Sequence, residues 1–233
     1  MKKLNTVILF FVFSLNTLGQ KPEKFKNIFD GVTFKGWQIV GSKGKINIKD
    51  SAFVCQMTIN TPEHTFVKTN KKYRNFVLEL DCKRDSFFNT GILFRCQNTS
   101  DTASVSLYGY QVKIDPNIKR SWTGGVFDDF GKSWKWLYTL ENDAKAKNAN
   151  KDNDWNHFRV EAINDTIKVW VNDIPTSHLI NNKYFKGYIA FKIHSLGNKP
   201  EQENWKAAFK NIKIIENPSR KDLKPINIPA LKN

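Results

Sequence analysis

A chain of 233 residues has the length for one large β domain or two small ones, and it can bury a sufficient core without covalent staples. Its net charge of +15 comes from lysines spread along the whole length. There is no basic helix and no recognition spacing, so the charge reads as a solvated surface and nucleic acid is set aside as a partner.

The first twenty residues read as a targeting segment rather than part of the fold. Lys2 and Lys3 make a basic start, the stretch from Val7 to Leu15 is almost wholly apolar, and a small polar stretch follows from Asn16 to Gln20. That order is a secretory signal, with cleavage expected near Gly19-Gln20, and its apolar run is too short to span a bilayer. No second apolar run of membrane length follows. The mature protein is therefore expected to be exported, to the periplasm or the cell exterior, with no membrane span. Residues 21–217 are expected to form the folded domain, and residues 218–233, which hold Pro218, Pro225 and Pro229, an extended tail.

Along the chain, period-2 alternation with Val, Ile, Phe and Trp recurs, and this is the strand signal. It appears at Phe76–Cys82, Ile92–Cys96, Tyr110–Asp115, Phe158–Ala162, Ile167–Val171, Ile189–His194 and Phe209–Ile215. Asn164-Asp165 and Asn172-Asp173 supply turn chemistry, and Val169 to Ile174 reads as a hairpin tip. One short polar stretch, Asn142 to Lys151, reads as a loop with a helical turn. Cys55, Cys82 and Cys96 each lie in an apolar stretch; three cysteines make no disulfide framework and read as small core residues, with one bridge left open by the sequence. Many strands joined by turns predict an all-β fold, a two-sheet antiparallel sandwich or jelly roll.

Side chains at i, i+2 and i+4 share one face of a strand. With Ile92, Phe94 and Cys96 facing inward, Arg95 faces out. With Tyr110, Val112 and Ile114 inward, Gln111, Lys113 and Asp115 face out. With Ile189, Phe191 and Ile193 inward, Lys192 and His194 face out. If the strands share a curved sheet, these polar groups converge on one surface. The segment Asp115 to Asp129 follows directly, joining Trp122, Gly124-Gly125 and Asp128 in a predicted loop, with Trp134 and Trp136 close behind. Aromatic rings pack on the apolar faces of sugars, carboxylates and amides bond hydroxyls, and adjacent glycines let backbone approach a ligand. His64, His157 and His178 have no ligand spacing and read as structural. No G-x-S-x-G, H-E-x-x-H, P-loop or paired C-x-x-C is present.

Eight short motifs, in order, resemble the 3-keto-disaccharide hydrolase family. Ile28-Phe29-Asp30-Gly31 with Phe34-Lys35-Gly36-Trp37 is similar to its opening. Tyr73-Arg74-Asn75-Phe76-Val77-Leu78-Glu79, Asn89-Thr90-Gly91-Ile92-Leu93-Phe94-Arg95 and Gly109-Tyr110-Gln111-Val112-Lys113-Ile114-Asp115 resemble three of its strands. Trp155-Asn156 with Arg159, Val169-Trp170-Val171-Asn172, the stretch Gly187 to His194, and Phe209-Lys210-Asn211-Ile212-Lys213-Ile214 complete the series. The resemblance implies a concanavalin A-like jelly roll with sugar chemistry on the concave face. Gln111 departs from it, standing where many members carry Glu, and an amide has no titrating carboxylate.

The chemistry implied by the resemblance is β-elimination. A ketone at sugar carbon 3 acidifies the carbon-2 hydrogen, a base removes it, the group on carbon 1 leaves, and water adds. Such a site needs a base and a positive group at the enolate oxygen. On this reading His194 is the base, Arg95 the electrophile with Lys192 or Lys113 as alternatives, and Asp115 an orienting group or proton donor. Gln111, Lys113, Lys192, Trp122, Asp128 and Asn89 are the expected substrate contacts. The base could instead be Asp115 or Asp128. These two oxygen ligands would favour a hard divalent cation, but the sequence holds no metal motif and no cofactor is assigned. A carboxylate-pair glycosidase fits less well, because Arg95 and Gln111 take the polar positions such a pair needs. The same fold also serves non-catalytic carbohydrate-binding modules, which remains the alternative.

Overall fold

The computed structural model describes residues 25–85, 87–99, 106–130 and 133–232. The signal segment, residues 1–20, lies outside them. Among the described residues the strands are β1 (Lys26–Asn27), β2 (Trp37–Gly41), β3 (Lys45–Lys49), β4 (Ala52–Gln56), β5 (Thr65–Thr69), β6 (Phe76–Arg84), β7 (Thr90–Asn98) and β8 (Leu107–Ile114). There follow β9 (Val126–Phe130), β10 (Ser133–Tyr138), the single turn of helix α1 (Ala144–Lys147), β11 (Asn156–Ile163), β12 (Thr166–Val171), β13 (Ile174–Ile180), β14 (Tyr188–Ile193), β15 (Lys206–Glu216) and β16 (Leu231–Lys232). One sheet runs β16-β13-β12-β11-β6-β15-β4-β3, with β1 also on β15, and the other runs β10-β9-β8-β7-β14-β5-β2. Every pairing is antiparallel except β13 with β16. This is the expected all-β, two-sheet sandwich.

The alternation seen in the sequence produces the two layers. Tyr110, Val112 and Ile114 of β8, Phe191 and Ile193 of β14, and Leu78, Leu80 and Cys82 of β6 all enter one core between the sheets. Phe191 from one sheet stacks on Phe209 from the other at 4.2 Å and 9°. Each such fully buried ring contributes about 2 kcal/mol of hydrophobic stabilisation. The three cysteines are buried and unpaired. The β12–β13 hairpin turns through Asn172 (φ 49°) and Asp173 (φ 65°), the left-handed pair that a tight hairpin between right-twisted strands demands.

Two expectations change. The stretch from Val126 to Asp129, read as loop, is strand: β9 pairs with β8 with Gln111 opposite Phe127 and Tyr110 opposite Asp128. The second change is a bulge in β7. Its register with β8 shifts between Phe94 and Gln97, and Arg95 takes a left-handed φ of 49°. The extra residue inverts the alternation beyond it. Ile92 and Phe94 enter the core, but Cys96 emerges on the opposite face, clustered with Leu93, Phe66 and Ala190.

The chain after residue 217 docks on the far sheet. Arg159 donates to the Asp222 carbonyl at 2.6 Å, the Lys224 amide donates to Glu161 at 2.7 Å, and the His178 ring meets the Ile228 carbonyl at 3.0 Å. The tail thus lies against the β11–β13 part of that sheet's outer face, and the outer face of the seven-stranded sheet carries a polar and aromatic cavity.

Candidate functional site

The cavity has a volume of about 560 Å3 and is lined by His64, Asn89, Lys113, Pro116, Arg120, Phe127, Asp129, Trp134, Trp136, Lys192 and His194. Strand parity accounts for most of them. Lys113 and Gly91 pair across β8 and β7, Phe127 faces Trp136, and Asp129 faces Trp134 across β9 and β10. Lys192 is one residue beyond Phe191, which pairs with Ile92, so Lys192 sits on the far side of Gly91 from Lys113. The space over Gly91 is taken by the Gln111 amide, whose atoms lie where a Cβ at this position would be.

The two lysines differ. Lys192 Nζ lies 2.5 Å from an Asp129 carboxylate oxygen, and both residues are buried. Lys113 Nζ donates to the neutral Oδ1 of Asn89 at 2.5 Å. Burial first, and then the charge of Lys192, push the Lys113 ammonium down to about 7, against the weaker pull of Asp129 and Asp115. An amine so depressed in a cavity wall is a candidate functional group.

His64 and His194 stand opposite the aromatic side, with ring centroids 4.4 Å apart. His194 Nδ1 lies 2.8 Å from the Ser195 carbonyl, which can only accept, so this nitrogen carries the proton and Nε2 holds a lone pair. The Ser195 amide donates to His64 Nδ1 at 2.8 Å, so His64 carries its proton on Nε2. Burial pushes the His194 imidazole down to about 4, with Lys192 and Lys113 adding to the shift and the Ser195 bond opposing it. His64 is pushed far lower by burial, Lys192, His194 and Lys113. Both rings are neutral at pH 7, one offering an acceptor and the other a donor.

The aromatic wall is formed by Phe127 and Trp134, stacked at 5.8 Å and 21°, with Trp136 edge-on to Phe127 at 5.2 Å. Trp134 is 64% exposed, so its ring is open to a ligand. The Arg120 guanidinium lies 5.2 Å from the rings of both Trp122 and Trp136. Asp115 grips that guanidinium with two bonds of 2.7 and 2.8 Å and also accepts the amides of Asn117 and Trp122.

The predicted residues therefore divide. Lys113, Lys192, His194 and Asn89 come together in the cavity. Arg95 does not: the bulge sends its side chain to the rim between the sheets, where it is fully buried and donates to the carbonyls of Arg74, Asn164 and Tyr184. It has no electrophilic role in this cavity. Gln111 shares the cavity's sheet face but lies beneath its lining, fully buried, with neither amide atom bonded among the described residues. Asp128 faces the other side of β9, bonded by Lys183 at 2.5 Å and by the Tyr184 hydroxyl at 3.1 Å. Its neighbour Asp129 is the cavity carboxylate. Asp115 and Trp122 stand behind Arg120 rather than in the cavity. Neither Asp115 nor Asp128 has a carboxylate free for a cation, and among the described residues no three His, Cys, Asp or Glu side chains cluster as a metal site. The pair does not fit a divalent ion.

Sequence reasoning missed His64, Arg120, Asp129 and the strand placement of Phe127, Trp134 and Trp136. Only Asp129 was within reach of parity, through its placement two residues after Phe127, the partner of Gln111.

A sandwich whose seven-stranded sheet carries an aromatic platform beside lysines and histidines fits a carbohydrate-active domain. The chain belongs to the 3-keto-alpha-glucoside-1,2-lyase-like domain family, whose profile matches residues 24–215. Among solved structures, a protein of Parabacteroides distasonis provisionally assigned as a glycosyl hydrolase is 16% identical, with a TM-score of 0.57 over 82% of this chain and 93% of that one. A Bacillus subtilis protein of unknown function with a galectin-like fold reaches 0.60 at 11% identity, over 86% and 99% of the two chains. The carbohydrate-binding module CBM66 of Bacillus subtilis reaches 0.51 at 14% identity, over 76% and 93%. At these identities the likeness is one of fold. No match is found among curated proteins.

Proposed function

We propose that the cavity cleaves glycosides oxidised at carbon 3, by eliminating the group on carbon 1 and adding water. The sugar ring lies on Trp134 and Phe127. His194 Nε2 takes the proton from carbon 2, and the ammonium groups of Lys192 and Lys113 hold the enolate oxygen as charge develops there. The Nε2 proton of His64 bonds a sugar hydroxyl, and Arg120 closes the aromatic side. The enzyme acts after export, in keeping with its signal-type N-terminal segment. The observation that carries this reading is the unprotonated Nε2 of His194 in one cavity with two lysines, one paired with the Asp129 carboxylate and the other with the neutral Asn89 amide. The test is incubation of the purified protein with a 3-keto-glucoside bearing a chromogenic leaving group. Release that tracks protein concentration supports it, and no release under any condition removes it.

The exposed Trp134 platform favours a second reading, a domain that binds sugar without cleaving it. Saturable binding of glycosides with no release of leaving group from any keto form would select it.

A further inference from the structure

Beside the main cavity is a second hollow of about 570 Å3, lined by Phe87, Pro116, Asn117, Ile118 and Lys119. Pro116 lines both. The floor is strongly apolar: Phe87 is 49% and Ile118 47% exposed, and Pro116 joins this surface to the cavity that Trp134 lines. Phe87 holds a left-handed φ of 69°, which a bulky side chain rarely adopts, and it leans on Trp205 with ring centroids 6.0 Å apart. Ile118 stands on the loop that Asp115 staples through Asn117 and Arg120. The apolar surface is therefore held in place.

We propose that this hollow is a leaving-group subsite, and that the substrates are glycosides of apolar alcohols with a ring or branched carbon skeleton rather than glycosides of a second sugar. This rests on the keto-glycoside reading of the main cavity. Continuity through Pro116 supplies the argument: a carbon-1 substituent that runs from a sugar on Trp134 towards Pro116 meets hydrocarbon. A second sugar would need hydroxyl partners; of the lining side chains only Asn117 and Lys119 are polar, and the Asn117 side-chain oxygen Oδ1 already accepts from the Arg120 amide.

The experiment compares kcat/KM for the methyl and the cyclohexylmethyl 3-keto-glucosides. Both release a primary alcohol of similar acidity, so leaving-group chemistry cancels and hydrocarbon contact remains. The expected preference is about tenfold for cyclohexylmethyl, the discrimination a partly open apolar pocket supports. Ile118→Ser and Phe87→Asn should each bring that ratio towards one; Asn tolerates the left-handed backbone, so the second variant keeps the local shape. Thermal unfolding checks that both variants fold. A wild-type ratio near one, or a ratio that both variants leave intact, overturns the subsite. If neither keto-glucoside is turned over, the keto-glycoside reading fails instead. Calorimetric binding of the unoxidised methyl and cyclohexylmethyl glucosides then decides the subsite: a preference lost in the variants supports it, and no preference overturns it.

Discussion

One residue, Ser195, sets the protonation of both His64 and His194. Its amide donates to His64 and its carbonyl accepts from His194, while the two rings lie 4.4 Å apart. The result is a donor and an acceptor side by side, fixed by backbone that cannot titrate. Neither ring can change its role by flipping without losing a 2.8 Å bond. In the proposed elimination this separates the ring that takes the proton from the ring that orients the sugar.

The pH dependence follows from the two perturbed groups. His194 must be neutral to act as base, and its imidazole is pushed down to about 4. Lys113 must be charged to hold the enolate, and it is pushed down to about 7. In the free enzyme kcat/KM should rise through about 4, stay level, and fall through about 7. Lys113→Arg keeps the charge at higher pH, so its falling limb should move up by several units. A wild-type profile that rises through 7 instead would give the base to neutral Lys113.

The same histidines make stability pH-dependent. Their folded pKa values lie below the unfolded value of about 6.5, so the unfolded chain binds protons that the folded chain refuses. Stability should be full above about 6.5 and decline as pH falls below it. Urea midpoints at pH 7 and pH 5 measure this, and His64→Gln with His194→Gln should flatten the difference.

His194→Ala should reduce turnover about 10²–10⁴-fold, the cost of losing a general base. The ring is partly buried at the end of a strand, and its hydrogen bond is to the adjacent carbonyl, so folding should survive. His64→Ala should act mainly on KM, since its proton serves binding. Equal losses of kcat in both variants would mean that the two rings share the proton transfer.

The sequence showed the sandwich because its strands alternate cleanly, and it placed Lys113 and Lys192 correctly because β8 and β14 keep parity on either side of Gly91. It failed at Arg95 because a bulge is one residue of extra backbone, and nothing in the run Phe94-Arg95-Cys96 marks it. Arg95 looks like an outward polar residue only if the strand is regular. The choice of Asp128 over Asp129 failed in the same way, because it depended on treating β9 as loop. His64 was out of reach for a different reason: its neighbour His194 is 130 positions away, and only the pairing of β14 with β5 brings them together.

Arg95→Ala tests the correction. The guanidinium bonds three carbonyls at the end of the sandwich, one of them in the β11–β12 turn of the opposite sheet. Truncation leaves these groups unpaired, at a cost of about 3 kcal/mol in stability. Denaturant unfolding should register that loss, while kcat/KM of the folded fraction at low temperature should change little. A large catalytic defect in a stable variant would return Arg95 to the site.

Asp115 is the last case, because it was expected to take part in the chemistry and the geometry makes it a positioning residue. Its carboxylate is buried, which alone would raise its pKa, but bonds from Arg120, Asn117 and Trp122 outweigh burial and hold it below the usual range. A carboxylate so occupied has no proton to give at neutral pH. What it controls is Arg120, whose guanidinium lies over Trp122 and Trp136 at the cavity edge. Asp115→Asn keeps the shape and removes the charge, so Arg120 should loosen and KM should rise by about tenfold, the loss of one charge-assisted contact. Arg120→Gln should show a similar defect, and the double variant should be little worse than either, because the two residues act as one unit. The acid limb of the pH profile should stay with His194 in all three. A shift of that limb in Asp115→Asn, or additive losses in the double variant, would make Asp115 a participant in its own right.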